Sequence, residues 1–204
     1  MNNKITFGIG GIVIGLLLAS TFGSSMFSGF HSGNFGMMQN KQGNQMMGNI
    51  DRHFIEQMIP HHEGAIAMAK MALQKSKRPE IKTLAEAIIT AQTKEIGDMQ
   101  TWYKNWFGQD VPKGNTAMMG NGMMSGRTAH MGGSDDMRAL ENASDFDKAF
   151  IEAMIPHHQL AIMMAQMLQS GTTRPEMQQL AKNIIESQST EIKQMQSWYT
   201  QWFQ

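Results

Sequence analysis

Cysteine is absent from this 204-residue chain. That absence excludes a disulfide framework, a thiolate zinc site and an iron–sulfur cluster. Net charge is absent as well, because 17 Lys and Arg balance 17 Asp and Glu. Nucleic-acid binders normally carry a basic patch, so neutrality sets that class of partner aside. Methionine is what the chain has in excess, 22 of 204 residues, so any sulfur chemistry here is thioether chemistry. The length allows one or two domains, each able to bury a real core.

The N-terminus reads as a targeting segment. Lys4 precedes an apolar run from Ile5 to Phe22 that is interrupted only by Gly, Thr and Ser. A short positive region followed by such a run is expected of a secretory signal or an uncleaved anchor. Gly8, Gly10, Gly11 and Gly15 argue against a buried core helix. Residues 1–23 are therefore assigned as signal peptide or membrane anchor. The expected location is periplasmic or secreted, with membrane contact only through this segment.

The folded part is a tandem repeat. DRHFIEQMIPHHEGAIAMAKM from Asp51 returns as DKAFIEAMIPHHQLAIMMAQM from Asp147, and residues 51–108 match 147–204 at 30 of 58 positions without a gap. Each copy reads as a helical hairpin, with first helices near 50–75 and 146–170. Pro79-Glu80 and Pro175-Glu176 suit the first turn of a following helix, expected at 79–107 and 175–203. The second helices carry the stripe Ile81, Leu84, Ile88, Gln92, Glu95, Met99, Trp102, Trp106, with the copy Met177, Leu180, Ile184, Gln188, Glu191, Met195, Trp198, Trp202. The Trp-Tyr-x-x-Trp-Phe ends read as core and bundle caps. Two hairpins, each with one apolar face, most simply form an all-α four-helix bundle. The plan is 24–49 as a flexible Gly/Met-rich segment, 50–108 as repeat 1, 109–145 as a Met/Gly-rich linker and 146–204 as repeat 2. Residues 24–49 and 109–135 are too polar and glycine-laden for a core.

The sharpest chemical signal is Met58-Ile59-Pro60-His61-His62 and its copy Met154-Ile155-Pro156-His157-His158. Proline inside a helix removes a hydrogen bond and bends the axis, here immediately before two histidines. Adjacent histidines sit about 100° apart on a helix, so one is expected to face the interior and the other to flank it. Met58 lies one turn before the pair, Met68 and Met71 lie beyond it, and Met154, Met164 and Met167 are their counterparts. Gln92, Glu95 and Met99 interrupt the facing stripe, as do Gln188, Glu191 and Met195. A carboxylate at core spacing needs a partner, and orienting a ligand histidine is a common one. The glutamates and glutamines are thus second-layer partners or ligands themselves.

Imidazole with thioether is the donor set of a soft ion, above all Cu(I), and by the same softness Ag(I). Zinc has little use for methionine, and no all-oxygen site is assembled for calcium or magnesium. His31, Met37, Met38, Met46, Met47, Met118, Met119, Met123, Met124, His130 and Met131 fall in the Gly/Asn tracts, where packing offers no reason for them. They read as auxiliary capture sites. Core filling remains the alternative for the helical methionines.

The pattern MIPHH-x-x-AI-x-MA at 58–69 and 154–165, with Gln92, Glu95-Ile96, Met99, Trp102 and their copies, resembles the domain-of-unknown-function-305 family. The resemblance covers both repeats but neither the N-terminus nor the linkers. It implies a ferritin-like fold and an exported Cu(I)- and Ag(I)-binding protein of copper homeostasis or resistance, with His61, His62, His157 and His158 as ligands. Two departures stand out: the family's glutamine after the pair is Glu63 in repeat 1, and His53 is replaced by Ala149 in repeat 2. The two sites are expected to differ accordingly.

Sequestration or transfer of metal, without turnover, is the leading expectation. Its partners would be metal ions and an envelope copper exporter or metallochaperone. A ferritin-like di-iron or di-manganese oxidase is the enzyme alternative, but its Glu-x-x-His motif is missing, since Met58 and Met154 stand where the glutamates belong. A structural envelope module is the third reading, and it leaves the linker methionines without a purpose.

Overall fold

Proline and glycine punctuate the chain where the helices start and stop. In the computed structural model, residues 41–112 and 134–204 are described, and they form five helices with no strand among them. Helix α1 spans Lys41–Lys75, α2 Pro79–Phe107, α3 Ser134–Glu141, α4 Phe146–Gly171 and α5 Pro175–Phe203. Both second helices begin with Pro in the first turn followed by Glu80 or Glu176, which complements the helix dipole. Gly108 ends α2 with φ 70°, the left-handed cap that glycine adopts without strain. Asp145 caps α4 by accepting from the Lys148 backbone N–H at 3.1 Å. Among the described residues, no helix is long and apolar enough to cross a membrane.

Two boundaries differ from the sequence reading. Helix α1 begins at Lys41 rather than near residue 50, so Met46 and Met47 lie on a helix, not in a flexible tract. Propensity against Gly and Asn is weak and is outweighed once a helix is nucleated downstream. Residues 134–141, expected as linker, form α3, which buries Leu140 and packs Met137 against the bundle. One apolar face over two turns suffices when a core is already there.

The bundle is built from α1 on α2, α4 on α5, and α1 against α4. Its interior divides into two apolar cores. One joins Ala65, Met68 and Ala72 of α1 and Leu84 and Ile88 of α2 to Phe150 and Met154 of α4 and Met195 of α5. The other joins Phe54, Ile55 and Met58 of α1 and Met99 and Tyr103 of α2 to Ala165 and Leu168 of α4 and Ile184 of α5. The early half of α1 thus shares a core with the late half of α4, so the two run antiparallel. Each core takes half of each repeat, which is why neither hairpin is complete alone. Between the cores, at the middle of α1 and α4, fall the two His-His pairs.

The ends are fastened reciprocally. Arg174, just before α5, pairs with Asp51 at 3.0 Å and lies 4.1 Å over the Trp106 ring. Arg78, just before α2, stands 3.8 Å from Asp147 and 4.0 Å over Trp202. The terminal aromatics are therefore caps, but they cap by holding the other repeat's arginine. Tyr103, not Trp102, is the fully buried aromatic of α2, while Trp102 and Trp106 stack half-buried.

Asp51 is 3% exposed, against 8% for Asp147, and its ion pair is shorter. Arg174→Ala leaves a buried carboxylate without its cation and removes the ring contact, a loss of about 2 kcal/mol. Arg78→Ala is expected to cost about half that. In thermal melts this corresponds to a drop of roughly 4–8 °C for Arg174→Ala and a smaller one for Arg78→Ala. Equal drops would show that the ion pairs do not set the difference.

Candidate metal centre

A proline at position 60 has no N–H to give the carbonyl one turn back, so the Glu56 carbonyl loses its helical partner; Pro156 does the same to Glu152. Directly after each proline come the histidines. His62, His157 and His158 are essentially fully buried, at 0, 1 and 0% exposure, and His61 is largely buried. Both members of each pair therefore face inward, where only one was expected to. The reason is the bundle itself: two side chains 100° apart on α1 meet two different neighbours. His62 turns to α2 and His61 turns to α4, and the second repeat copies the arrangement.

His62 Nε2–H donates to Glu95 Oε2 at 2.7 Å, and His158 Nε2–H donates to Glu191 Oε2 at 2.6 Å. A carboxylate accepts, which assigns a proton to Nε2 of each ring. Both glutamates are mostly buried, with side-chain exposures of 16 and 17%. They are the imidazoles' orienting partners. His61 and His157 meet across the repeats with ring centroids 3.7 Å apart and planes 39° apart.

Among the described residues, the remaining ring nitrogens find no hydrogen-bond partner: both of His61, both of His157, and Nδ1 of His62 and of His158. The Gln92 and Gln188 carbonyl oxygens are likewise buried and unpaired. Each such group forfeits roughly 1–3 kcal/mol relative to a satisfied one. Burial, and then the neighbouring imidazoles, push His61 down to about 3 and His157 down to about 2 from an ordinary 6.5. These rings are neutral at any physiological pH. The centre of the bundle thus holds two imidazole lone pairs, on His61 and His157, that protons do not claim.

Thioethers flank this belt. Met58 and Met154 are 0% exposed and sit one turn before the histidines; Met99 and Met195, also 0% exposed, sit one turn beyond Glu95 and Glu191. All four also belong to the apolar cores, Met154 and Met195 to one and Met58 and Met99 to the other. Met68 and Met71 pack into one apolar core, Met164 packs against the other, and Met167 is 62% exposed. His31, Met37, Met38, Met118, Met119, Met123, Met124, His130 and Met131 lie outside the described residues. Glu63, Gln159 and His53 are exposed. Among the described residues, no group of three or more His, Cys, Asp and Glu converges as a metal site.

The family model described as domain of unknown function (DUF305) matches residues 51–199. CopM in its Cu(I)-bound form is 48% identical, with TM-score 0.64, covering 76% of this chain and 98% of that one. Its Ag-bound form, obtained by soaking, superposes equally well at 47% identity, covering 76% and 97%. A DUF305 fragment from Deinococcus radiodurans is 25% identical with TM-score 0.59, covering 72% and 93%. The uncharacterized protein L153 of Acanthamoeba polyphaga mimivirus is 45% identical over 51 residues, 25% of this chain; the match spans about a third of that relative's length, 34%.

Neutral buried imidazoles make the metal-free fold acid-sensitive. Below pH 6.5 the unfolded chain takes up a proton on His61 and on His157 that the folded chain refuses, so stability falls as pH falls towards the folded values near 3 and 2. The slope is about 1.4 kcal/mol per pH unit for each ring. Melting temperature is expected to decline from pH 6.5 to 4, and His61→Gln/His157→Gln should flatten that decline. Superimposable profiles for the two proteins would contradict the burial of neutral rings.

Proposed function

The chain belongs to the DUF305 family, and from that premise we propose that it is an exported copper-handling protein that holds Cu(I), and Ag(I) by the same chemistry, for sequestration or transfer. One observation carries the reading: six buried imidazole nitrogens without hydrogen-bond partners among the described residues, on and opposite helices that also carry fully buried methionines. A desolvated cluster of nitrogen and thioether donors rejects hard, strongly hydrated ions and accepts a soft monovalent one. The relative CopM, whose structures include Cu(I)- and Ag-bound forms, supports the choice of ion. In repeat 1 the holding residues are His61 and His62 with Met58 and Met99; in repeat 2 they are His157 and His158 with Met154 and Met195. Glu95 and Glu191 hold the proton of the outer imidazoles and aim Nδ1 at the ion. The apolar run from Ile5 to Phe22 supports a periplasmic or secreted location, with an envelope exporter or metallochaperone as the recipient.

The oxidase alternative requires several carboxylates around two metals. The hydrogen bonds of this centre supply one glutamate per histidine pair, each already engaged by a ring. Binding without turnover fits that donor set better.

Anaerobic titration with Cu(I), against a chromophoric competitor, tests the assignment. Replacing His61, His62, His157 and His158 together with Ala should weaken binding by about a hundredfold or more. Unchanged binding would remove the histidines from the site. Glu95→Ala/Glu191→Ala should cost about 10–100-fold while leaving stoichiometry intact; no change would reduce the glutamates to packing groups.

A further inference from the structure

The two histidine pairs are not separate sites that happen to share a bundle. His61 and His157 are 3.7 Å apart by ring centroid, nearer than His61 is to His62 at 6.2 Å or His157 to His158 at 6.3 Å. The contact across the repeats is therefore tighter than the contact within either one. All six unpaired ring nitrogens belong to this single cluster, and the helices that carry them, α1 and α4, are the two that join the hairpins.

We propose that the two half-sites are negatively coupled: the chain holds a first monovalent ion tightly and a second at least tenfold more weakly, although the halves are near copies. This rests on the metal-holding reading above. Two unit charges within about 10 Å of one another, at an effective dielectric constant near 20, repel enough to weaken the second binding step by roughly tenfold. Glu95 and Glu191 do not cancel this. Each is bonded to the imidazole of its own half, so each lowers the energy of both ions while the repulsion between the ions remains. Sterics act in the same direction. The two inner rings already touch, so an ion that fixes the orientation of one narrows the choices of the other. The consequence is a division of labour: one ion retained, one exchangeable, from two halves that carry the same histidines, methionines and glutamates at the site.

The test is a thermodynamic cycle read by anaerobic Ag(I) titration against a competitor. It compares the wild-type chain, His61→Ala/His62→Ala, and His157→Ala/His158→Ala. The wild type should show two steps separated by at least tenfold beyond the statistical factor. Each single-half variant should bind one ion within about threefold of the wild-type first step. If the wild type fills two equal steps, the coupling is absent. If one single-half variant keeps the weak step by itself, the halves are intrinsically unequal and the proposal fails. If either variant binds nothing, one shared site replaces two, and it fails again. Met58→Leu/Met99→Leu and Met154→Leu/Met195→Leu preserve core volume and repeat the comparison without deleting buried rings. A wild-type chain that takes up no ion, or a four-histidine variant that titrates like the wild type, would instead overturn the metal-holding reading itself.

Discussion

Desolvation of four imidazoles at the middle of the bundle is the constraint on which the rest of the structure depends. Polar rings without partners are expensive to bury, and here only the two Nε2 atoms on Glu95 and Glu191 are satisfied. Apolar packing on either side must carry that load. The interior accordingly splits into two cores with the histidines between them, and each core recruits side chains from both repeats. Neither core could be withdrawn without exposing the belt, and neither hairpin could keep it dry unaided.

Duplication explains how so demanding an interior is assembled from a short motif. A hairpin with an apolar face and a polar interruption has no stable solution by itself. Two of them, antiparallel, place the interruptions opposite one another and let His61 meet His157. The same reciprocity appears at the ends, where each repeat's arginine lies over the other repeat's tryptophan beside the other repeat's aspartate. The fastenings sit at the far ends of the bundle from the centre, so they secure the association without adding charge to the site.

Much of this was legible in the sequence. Pro79 and Pro175 placed the second helices to the residue because proline at a first turn is a local rule. The 30 of 58 identities between repeats made the bundle readable, and Glu95 at core spacing announced a buried partner. What was not legible depended on which neighbour a side chain meets. One helix face cannot reveal that His61 turns to α4 while His62 turns to α2. Periodicity likewise could not tell Met167, which is 62% exposed, from Met154, which is 0% exposed, although both follow the same spacing. Asp51, Asp147, Arg78 and Arg174 went unread as a clamp, though their identity in both repeats was the available signal. Short α3 was missed because a polar sequence with one apolar stripe gains its helix only from the core it covers.

Choice of donors follows from the same dryness. A thiolate would bind a soft ion more tightly, but in a buried site it must first lose a proton and then hold a charge that burial opposes. Neutral imidazole and thioether avoid both difficulties: His61 and His157 are already deprotonated across physiological pH, and methionine sulfur has no proton to lose. On the proposed reading the charge brought to these donors would be the ion's own, with Glu95 and Glu191 behind the outer imidazoles, where side-chain exposures of 16 and 17% keep each carboxylate in touch with water. With the anions one ring away from an ion so held, rather than on it, the attraction would stay moderate. A site for handling metal, as opposed to burying it permanently, needs that moderation, and the histidine between carboxylate and cation supplies it.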